Sequence, residues 1–391
     1  MVKIISSREG GYMISFSENQ TEEEWNLIRQ AKELERKQKA EQYAEANQPS
    51  LKGGIDWNFF KTGKRSQPVS ETLKSLLDSD GDGYLNPDEW INIIKDTCIY
   101  DNDSHAAFTS LVNWNNNLYV AFREAGSHMG SATDRGRIIV MVYDNKRWET
   151  SATFSVDGLD LRDPCFVKWG ERLLLYTSYR FSEFTKSGWT ELQETKHNAP
   201  HSLSIWKIRP YKNELYGIGH RWNMWPILMK SKDGLNWEVV CEYQIGGNAT
   251  EADLLFVKDK MYVCFRVEIP EGSHSVFGES SYPFSKTKLT EMNISVSSPE
   301  MIFASSNTIL LSGRELVFDK TTRILERMVS IFAIDKKGNV KGRYVINKEA
   351  KDQGYGSFYR EDKKRFLMTY YEGTNKTRIH LVSFLINNKF K

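Results

Sequence analysis

The chain has 391 residues, of which 40% are hydrophobic and 13% aromatic, and its formal net charge is +2. This length fits one large domain together with a smaller one, and the apolar content is sufficient for a buried core. The near-neutral charge and the lack of a dense basic stretch argue against a nucleic-acid-binding protein.

The sequence also limits where the protein is expected to act. No apolar run approaches the ~18 residues that a membrane-spanning helix needs, so we expect no membrane insertion. Residues 1–16 contain no continuous apolar segment and no cleavage site, so we predict no secretion signal. The four cysteines (Cys98, Cys165, Cys241 and Cys264) have no CxxC spacing, which favours free thiols over disulfides or zinc. A cytoplasmic protein, or one released by cell lysis, is expected.

The N-terminal segment, residues 1–48, is predicted to contain a helix that acts as a stalk or docking element. Thr21 and Glu24 match a capping box, and the residues that follow to Ala46 are rich in Glu, Lys, Gln and Ala. The heptad pattern of a long coiled coil is missing, although such a helix would be compatible with a homotrimer. Residues 49–69 contain several Gly and Pro residues and are predicted to be a linker.

Residues 70–97 are predicted to form an EF-hand-like helix–loop–helix. The twelve residues from Asp78 to Glu89 match a calcium loop, with Gly83 at the sharp turn, and the exiting helix is predicted to contain Trp90, Ile91, Ile93 and Ile94. Ca²⁺ is therefore the expected cofactor, in a structural role because the motif is single; an acidic turn without metal is the alternative. The predicted metal ligands are Asp78, Asp80, Asp82, the Tyr84 carbonyl, Asn86 and Glu89.

Residues 98–391 are predicted to form a six-bladed β-propeller. A strand that ends in charged or aromatic polar residues recurs six times, at starts about 40 to 57 residues apart, which is the spacing of a four-stranded blade. The final blade shows only three strands, so closure requires an early strand near residues 98–103. The repeats are LYVAFRE (118–124), LLLYTSYR (173–180), LYGIGHR (215–221), MYVCFRVE (261–268), ILLSGRE (309–315) and FLMTYYE (366–372).

Equivalent strand ends of a propeller point towards one axis, so these repeats predict a charged central basin. Arg123, Arg266 and Arg314 are candidate ligand-binding residues within it. Arg221 and Trp222 are candidates for contact with a sugar ring, since aromatic faces stack on sugars. Ion pairs between neighbouring blades are the structural alternative for each charged residue.

Three segments resemble the sialidase superfamily. Residues 354–386 (GYGSFYREDKKRFLMTYYEGTNKTRIHLVSFLI) resemble the last sialidase blade, and residues 249–266 (ATEADLLFVKDKMYVCFR) are similar to the fourth. Residues 231–237 (SKDGLNW) resemble a shortened Asp-box. The resemblance covers roughly residues 105–386. It implies a mainly β, sialidase-like propeller preceded by the small α-helical, EF-hand-like region.

The resemblance implies catalytic roles for three residues. Tyr355 would be the nucleophile and Glu251 the base that makes its deprotonation easier, since a free phenol has a pKa near 10. Asp134 would be the acid/base. If the protein is an enzyme, it would then be a retaining exo-glycosidase of the sialidase type.

The resemblance also implies an arginine triad that binds a carboxylate. Arg266 and Arg327 match two members, and Glu372 would orient an arginine. Ala107 or nearby His105 stands in the place of the first member, and Arg123 on the adjoining strand is a candidate substitute that the spacing does not establish. Losing one guanidinium clamp is expected to weaken ligand binding about tenfold or more.

The leading functional hypothesis is a carbohydrate-recognising propeller that binds a cell-surface glycan or cell-wall polysaccharide. In architecture it resembles receptor-binding proteins of phage tails, which implies tail or baseplate proteins as partners and the virion tail as location. A glycoside hydrolase of the sialidase superfamily with an altered substrate is the alternative. An intracellular scaffold propeller is a third hypothesis.

The calcium loop generates a direct prediction. Glu89→Gln is expected to weaken Ca²⁺ binding at least about tenfold, because it replaces the bidentate carboxylate of position 12. Isothermal titration calorimetry with Ca²⁺ measures the change. Asp88→Asn, one position earlier and not a predicted ligand, is the matched control. Equal affinities of wild type and Glu89→Gln would contradict the assignment.

Overall fold

The computed structural model describes residues 3–6, 12–15 and 90–387, apart from residues 201, 222–223, 270–271 and 320–323. Strands β1 (Lys3–Ser6) and β2 (Tyr12–Ser15) form an antiparallel hairpin. The predicted N-terminal helix, the linker and the calcium loop lie outside the described residues.

Four separate sheets of four or five strands are formed by successive segments of the chain. The first contains β8 (Cys165–Trp169), β9 (Arg172–Thr177), β10 (Arg180–Thr185), β11 (Gly188–Trp189) and β12 (Gln193–Glu194). The second contains β13 (Lys196–His197), β14 (Ser204–Tyr211), β15 (Glu214–His220), β16 (Ile227–Ser231) and β17 (Asn236–Glu242). The third contains β18 (Asn248–Val257), β19 (Lys260–Ile269), β20 (Gly272–Ser281) and β21 (Thr287–Glu291). The fourth contains β22 (Val296–Phe303), β23 (Thr308–Asp319), β24 (Ile324–Asp335) and β25 (Val340–Asn347).

The remaining eight strands come from the beginning and the end of the propeller sequence and are hydrogen-bonded into one sheet. A single parallel pair, Thr377 with His105, joins its two halves. The propeller-like fold is therefore confirmed, but the prediction of six separate blades is wrong: four blades are separate, and the expected first and last are hydrogen-bonded together. The sheet contains β3 (Ile91–Tyr100), β4 (His105–Trp114), β5 (Asn117–Ala125), β6 (Arg137–Tyr143), β7 (Trp148–Phe154), β26 (Asp352–Arg360), β27 (Arg365–Gly373) and β28 (Thr377–Ile386).

Strand β3 closes the propeller, as the three-strand count of the final blade predicted, but it begins earlier than expected. It pairs antiparallel with β28 from Ile91 to Tyr100. The prediction that Ile91, Ile93 and Ile94 continue the exiting helix from Trp90 is therefore wrong, because the strand begins at Ile91. The β-branched residues of INIIKDTCIY favour a strand once a partner edge is available, and tertiary pairing outweighs the local helical pattern.

Six strands, the innermost of their groups, contact one another in a closed ring in the order β4, β8, β14, β18, β22 and β26. Side chains of this ring accept hydrogen bonds from backbone N–H groups of the neighbouring strand, because adjacent inner strands share no continuous ladder. The donor–acceptor pairs are Phe166 to Ser110 (2.9 Å), Ile208 to Cys165 (3.4 Å), Met301 to Asp253 (2.6 Å) and Leu111 to Ser357 (3.0 Å).

The hydrophobic core lies between neighbouring groups of strands, where each apolar face packs on the next. All four cysteines are free, and buried Cys165 acts as the hydrogen-bond acceptor noted above. Within the described ranges, no helix is long and apolar enough to span a membrane.

A charged network crosses three of the inner strands. Arg209 on β14 donates to both oxygens of Asp253 on β18, at 2.9 and 2.8 Å, and lies 3.0 Å from Glu300 on β22. Lys207 Nζ lies 2.8 Å from the same glutamate. Asp253 and Glu300 are almost fully buried, so each carboxylate depends on these cations for charge compensation.

Replacing Arg209 with Met is expected to destabilise the propeller by about 3–5 kcal/mol, because Asp253 would remain as a buried charge with reduced compensation. Chemical denaturation measures the change as a lower midpoint. Lys212→Met is the matched control: its partner Asp259 lies 3.3 Å away, and both side chains are more than half exposed. That variant should unfold at the wild-type midpoint, and an equal loss in both variants would contradict the account.

Candidate functional site

The inner strands place six side chains at equivalent positions near the axis. The strand register shifts around Phe108, Lys207, Glu251, Ser298 and Tyr355, and Asp163 lies just before β8. Positive φ angles occur at all of these except Glu251, from 41° at Lys207 to 63° at Phe108. Strained backbone of this kind clusters at functional sites in proteins. A shared axial site is the working hypothesis.

Tyr355 and Glu251 form the centre of this site. The Tyr355 hydroxyl donates to Glu251 Oε1 at 2.5 Å, and the Ser298 backbone N–H donates to Oε2 at 2.6 Å. Burial alone would raise the pKa of Glu251, but Arg266 and these hydrogen bonds outweigh it and lower the pKa. Burial and the Glu251 charge raise the pKa of Tyr355 well above its usual range, against the effect of Arg266 and Arg314. Tyr355 is therefore a neutral hydrogen-bond donor at neutral pH.

Two arginines approach this pair from different sheets. Arg266 Nη1 lies 3.0 Å from Glu251, and Nη2 lies 2.5 Å from Glu268. The buried Nε of Arg266 has no hydrogen-bond partner among the described residues. The guanidinium of Arg314 lies over the Tyr355 ring, with its carbon 5.4 Å from the ring centre. These two guanidinium groups bring charged hydrogen-bond donors to the axial site.

Asp352 holds Arg314 in place and connects several strands. Its Oδ1 accepts from Arg314 Nη2 and from the Tyr371 hydroxyl, both at 2.8 Å. Its Oδ2 accepts from His105 Nε2 at 2.8 Å and His128 Nδ1 at 2.9 Å. Burial opposes ionisation of Asp352, yet the two histidines and Arg314 hold its pKa far below the usual range.

His105, His128 and Asp352 also have the spacing of a metal site. Among the described residues, their ligand atoms lie within 4.8 Å of one another, close enough to bind one ion. The chemistry fits a metal poorly. If His105 Nε2 bound a cation, its Nδ1 would carry the proton, and Nδ1 is buried without a partner. The Arg314 charge beside Asp352 also disfavours a cation. A hydrogen-bonded hub explains the cluster better.

Arg123 and Asp134 belong to a neighbouring cluster. Fully buried Arg123 donates from Nε to Asp160 at 2.8 Å and from Nη1 to the Ser127 carbonyl at 3.0 Å. Asp134 accepts from the Gly126 N–H at 2.6 Å and from the Ser127 hydroxyl at 2.8 Å. Although burial opposes it, these bonds lower the pKa of Asp134.

Three other predicted site residues, Glu372, Arg327 and Arg221, have no described contact with the Tyr355–Glu251 pair. Glu372 lies 3.3 Å from Arg378 and 3.3 Å from His380, and the contacts described for it do not include the axial arginines. Arg327 and Arg221 are exposed, and Arg221 donates to Ser202 at 3.2 Å. Trp222 and the calcium ligands lie outside the described residues.

Several residues of the site were not found by reading the sequence. Phe108, next to Ala107, packs on Tyr355 with ring centres 4.6 Å apart. Asp163 and Asp352 each lie at the start of an inner strand, and an acidic residue just before an apolar run was the available signal. The sixth repeat pointed to the right strand but to the wrong residue. Glu372 was the candidate, whereas Tyr371, one position earlier, contacts Arg314 and Asp352.

The site is narrow. A cavity of about 10 Å³ is lined by residues that include Phe108, Asp163, Lys207 and Tyr355. This is about the space of one water molecule, so the cavity can accept one oxygen-sized group of a ligand. A sugar would have to lie outside it, with one substituent inserted.

No protein-family model and no curated protein matches the sequence. Among solved structures, a Dyadobacter fermentans protein of unknown function is similar at TM-score 0.65 and 16% identity, over 76% of this chain and 99% of that one. The endosialidase of phage phi92 is similar at TM-score 0.54 and 10% identity, over 75% of this chain and 69% of that one. Trypanosoma rangeli sialidase is similar at TM-score 0.50 and 12% identity, over 72% of this chain and 55% of its own length. These similarities establish a fold shared with sialidases.

Proposed function

We propose that this protein is a carbohydrate-recognising propeller that binds an acidic group of a cell-surface glycan or cell-wall glycopolymer at its axial site. The observation that carries the proposal is the convergence of Arg266 and Arg314 on Tyr355 from two different sheets. Arginine binds carboxylates and phosphates through charge-assisted hydrogen bonds, often in pairs. The unpartnered buried Nε of Arg266 supports a ligand oxygen as its missing acceptor.

The biological setting that we propose is a receptor-binding component of a phage tail, attached to tail or baseplate proteins through the N-terminal segment. The fold shared with the phage phi92 endosialidase is compatible with it. We further propose that the loop from Asp78 to Glu89 binds Ca²⁺ and stabilises the region before the propeller.

A glycoside hydrolase is the second candidate, favoured by the 2.5 Å hydrogen bond between Tyr355 and Glu251. In this reaction type Glu251 would take the phenol proton as Tyr355 attacks. Two features argue for binding over turnover. The pKa of Tyr355 is raised by burial and by Glu251, and Ala107 stands where the resemblance to sialidases would place the first triad arginine.

Arg314→Lys is expected to weaken binding of an acidic glycan about tenfold, because lysine cannot reproduce the planar guanidinium fork. Calorimetry with N-acetylneuraminic acid and with purified wall teichoic acid measures the effect, and neutral dextran is the ligand control. Arg343→Lys is the matched variant, since Arg343 forms a similar ion pair with Glu315 in the same sheet. Its affinity should equal that of wild type.

Turnover of aryl glycosides decides between the two candidates. Binding without product formation, retained in Tyr355→Phe, supports the recognition protein. Product formation that disappears in Tyr355→Phe supports the hydrolase. If neither acidic ligand binds and no glycoside is cleaved, the glycan proposal is wrong, and a protein partner for a scaffold becomes the alternative.

A further inference from the structure

Asp163 is a carboxyl group at the axis that the contacts of the site do not neutralise. It lines the same cavity as Phe108, Trp206, Lys207, Ser298 and Tyr355. Its φ angle of 52° places it in the left-handed region, immediately before Pro164 and β8. Its carboxylate forms no hydrogen bond to any of the described residues, so its oxygens are available to a group inside the cavity.

The charged groups that face Asp163 are Arg162, Glu251, Lys207 and Arg123. Each of the cations already has a carboxylate partner. Arg123 and Arg162 both contact Asp160, at 2.8 and 3.1 Å, and Lys207 pairs with Glu300 at 2.8 Å. Burial is therefore the dominant influence, and it raises the pKa of Asp163 to about 7, with Glu251 adding to the effect and Arg162 opposing it.

Asp134 has the opposite environment, although the sequence predicted it as the proton-transferring carboxyl. It accepts hydrogen bonds from Gly126 and Ser127, which stabilise its ionised form. A carboxylate of this kind cannot donate to a ligand near neutral pH. When two carboxyl groups of one region have such different environments, the less compensated one carries the proton.

We propose that Asp163 is the proton-donating carboxyl of the axial site and hydrogen-bonds an acidic ligand oxygen inside the cavity beside Tyr355. The inference rests on the proposed glycan-binding function and adds the chemistry of one contact. The size of the cavity, about 10 Å³, fits a single oxygen-sized group. Asp163 then presents a neutral donor, since the Tyr355 hydroxyl already donates to Glu251, and the Arg266 Nε supplies a charged one.

The proposal gives binding a specific pH dependence. Below about pH 7 Asp163 is protonated and donates to the ligand. Above that pH it is an anion and repels an acidic group, so the affinity should fall about tenfold per pH unit. The carboxylate of N-acetylneuraminic acid and the phosphodiesters of wall teichoic acid keep their charge between about pH 6 and about pH 9. A change of affinity in this range therefore reports a group of the protein.

The test compares the affinity of wild type, Asp163→Asn and Asp157→Asn for both probes from about pH 6 to about pH 9. Asparagine has nearly the same shape as a protonated aspartate and always offers donor hydrogens. We expect Asp163→Asn to bind as tightly as wild type at the acidic end and to lose the pH dependence. Asp157→Asn, which changes an exposed carboxylate between β7 and β8, should keep the wild-type profile. A wild-type affinity that does not change with pH, or a slope retained in Asp163→Asn, would overturn the proposal.

Infrared spectroscopy of the ligand-free protein separates this inference from the proposed function. The expected result is a protonated-carboxyl band that disappears as pH rises through about 7 and is missing in Asp163→Asn. If neither probe binds but this band is present, the glycan-binding function fails and Asp163 remains the proton carrier. If the band is missing from wild type at the acidic end, Asp163 is ionised and the inference is wrong, whatever the probes show.

Discussion

The axial site depends on one geometric constraint: six inner strands meet around a narrow axis and are held there by hydrogen bonds from side chains to neighbouring backbones. Ser110, Cys165, Asp253 and Ser357 accept these bonds. Because β4, β18 and β26 are fixed at these points, the register shift just before the fixed residue directs a side chain to the same small space. Strain at positive φ angles is the consequence, and the packed ring compensates for it.

The charges near the axis follow from this arrangement. The cations Lys207 and Arg209 are compensated by Glu300 and Asp253, so they stabilise the fold and are not free to bind a ligand. Arg266 and Arg314 lie further out, on the second strands β19 and β23, where Arg266 pairs with Glu251 and Glu268 and Arg314 pairs with Asp352. The buried Nε of Arg266 still has no acceptor among the described residues. The inner ring therefore supplies shape and a neutral donor, while the second ring supplies a guanidinium donor. An acidic sugar substituent fits this combination.

The sequence was most informative where the pattern was periodic. The six strand-end repeats all correspond to second strands, β5, β9, β15, β19, β23 and β27, and they correctly predicted a propeller-like fold. The pairing of Glu251 with Tyr355 was also anticipated, because a resemblance to sialidase blades indicated both residues. The merging of the first and last blades was not predictable, since it depends on one contact between Thr377 and His105.

The burial of a side chain and the number of its hydrogen-bond partners explain why some site residues could not be predicted from the sequence. Asp134 and Asp163 look equivalent as isolated aspartates near strand ends, but only Asp134 has hydrogen-bond donors around it. Arg314 and Arg327 also look equivalent, one on β23 and the other on β24, yet Arg327 is exposed and Arg314 lies over Tyr355. Such differences arise from packing between strands that are distant in sequence.

The most direct test of the axial site is a crystal structure of the protein soaked with N-acetylneuraminic acid. We predict that the ligand carboxylate lies within hydrogen-bond distance of Arg266 and Arg314, with one oxygen directed to Tyr355 and Asp163. A ligand bound only at the outer strands, or an axis that stays free of ligand at saturating concentration, would contradict the account.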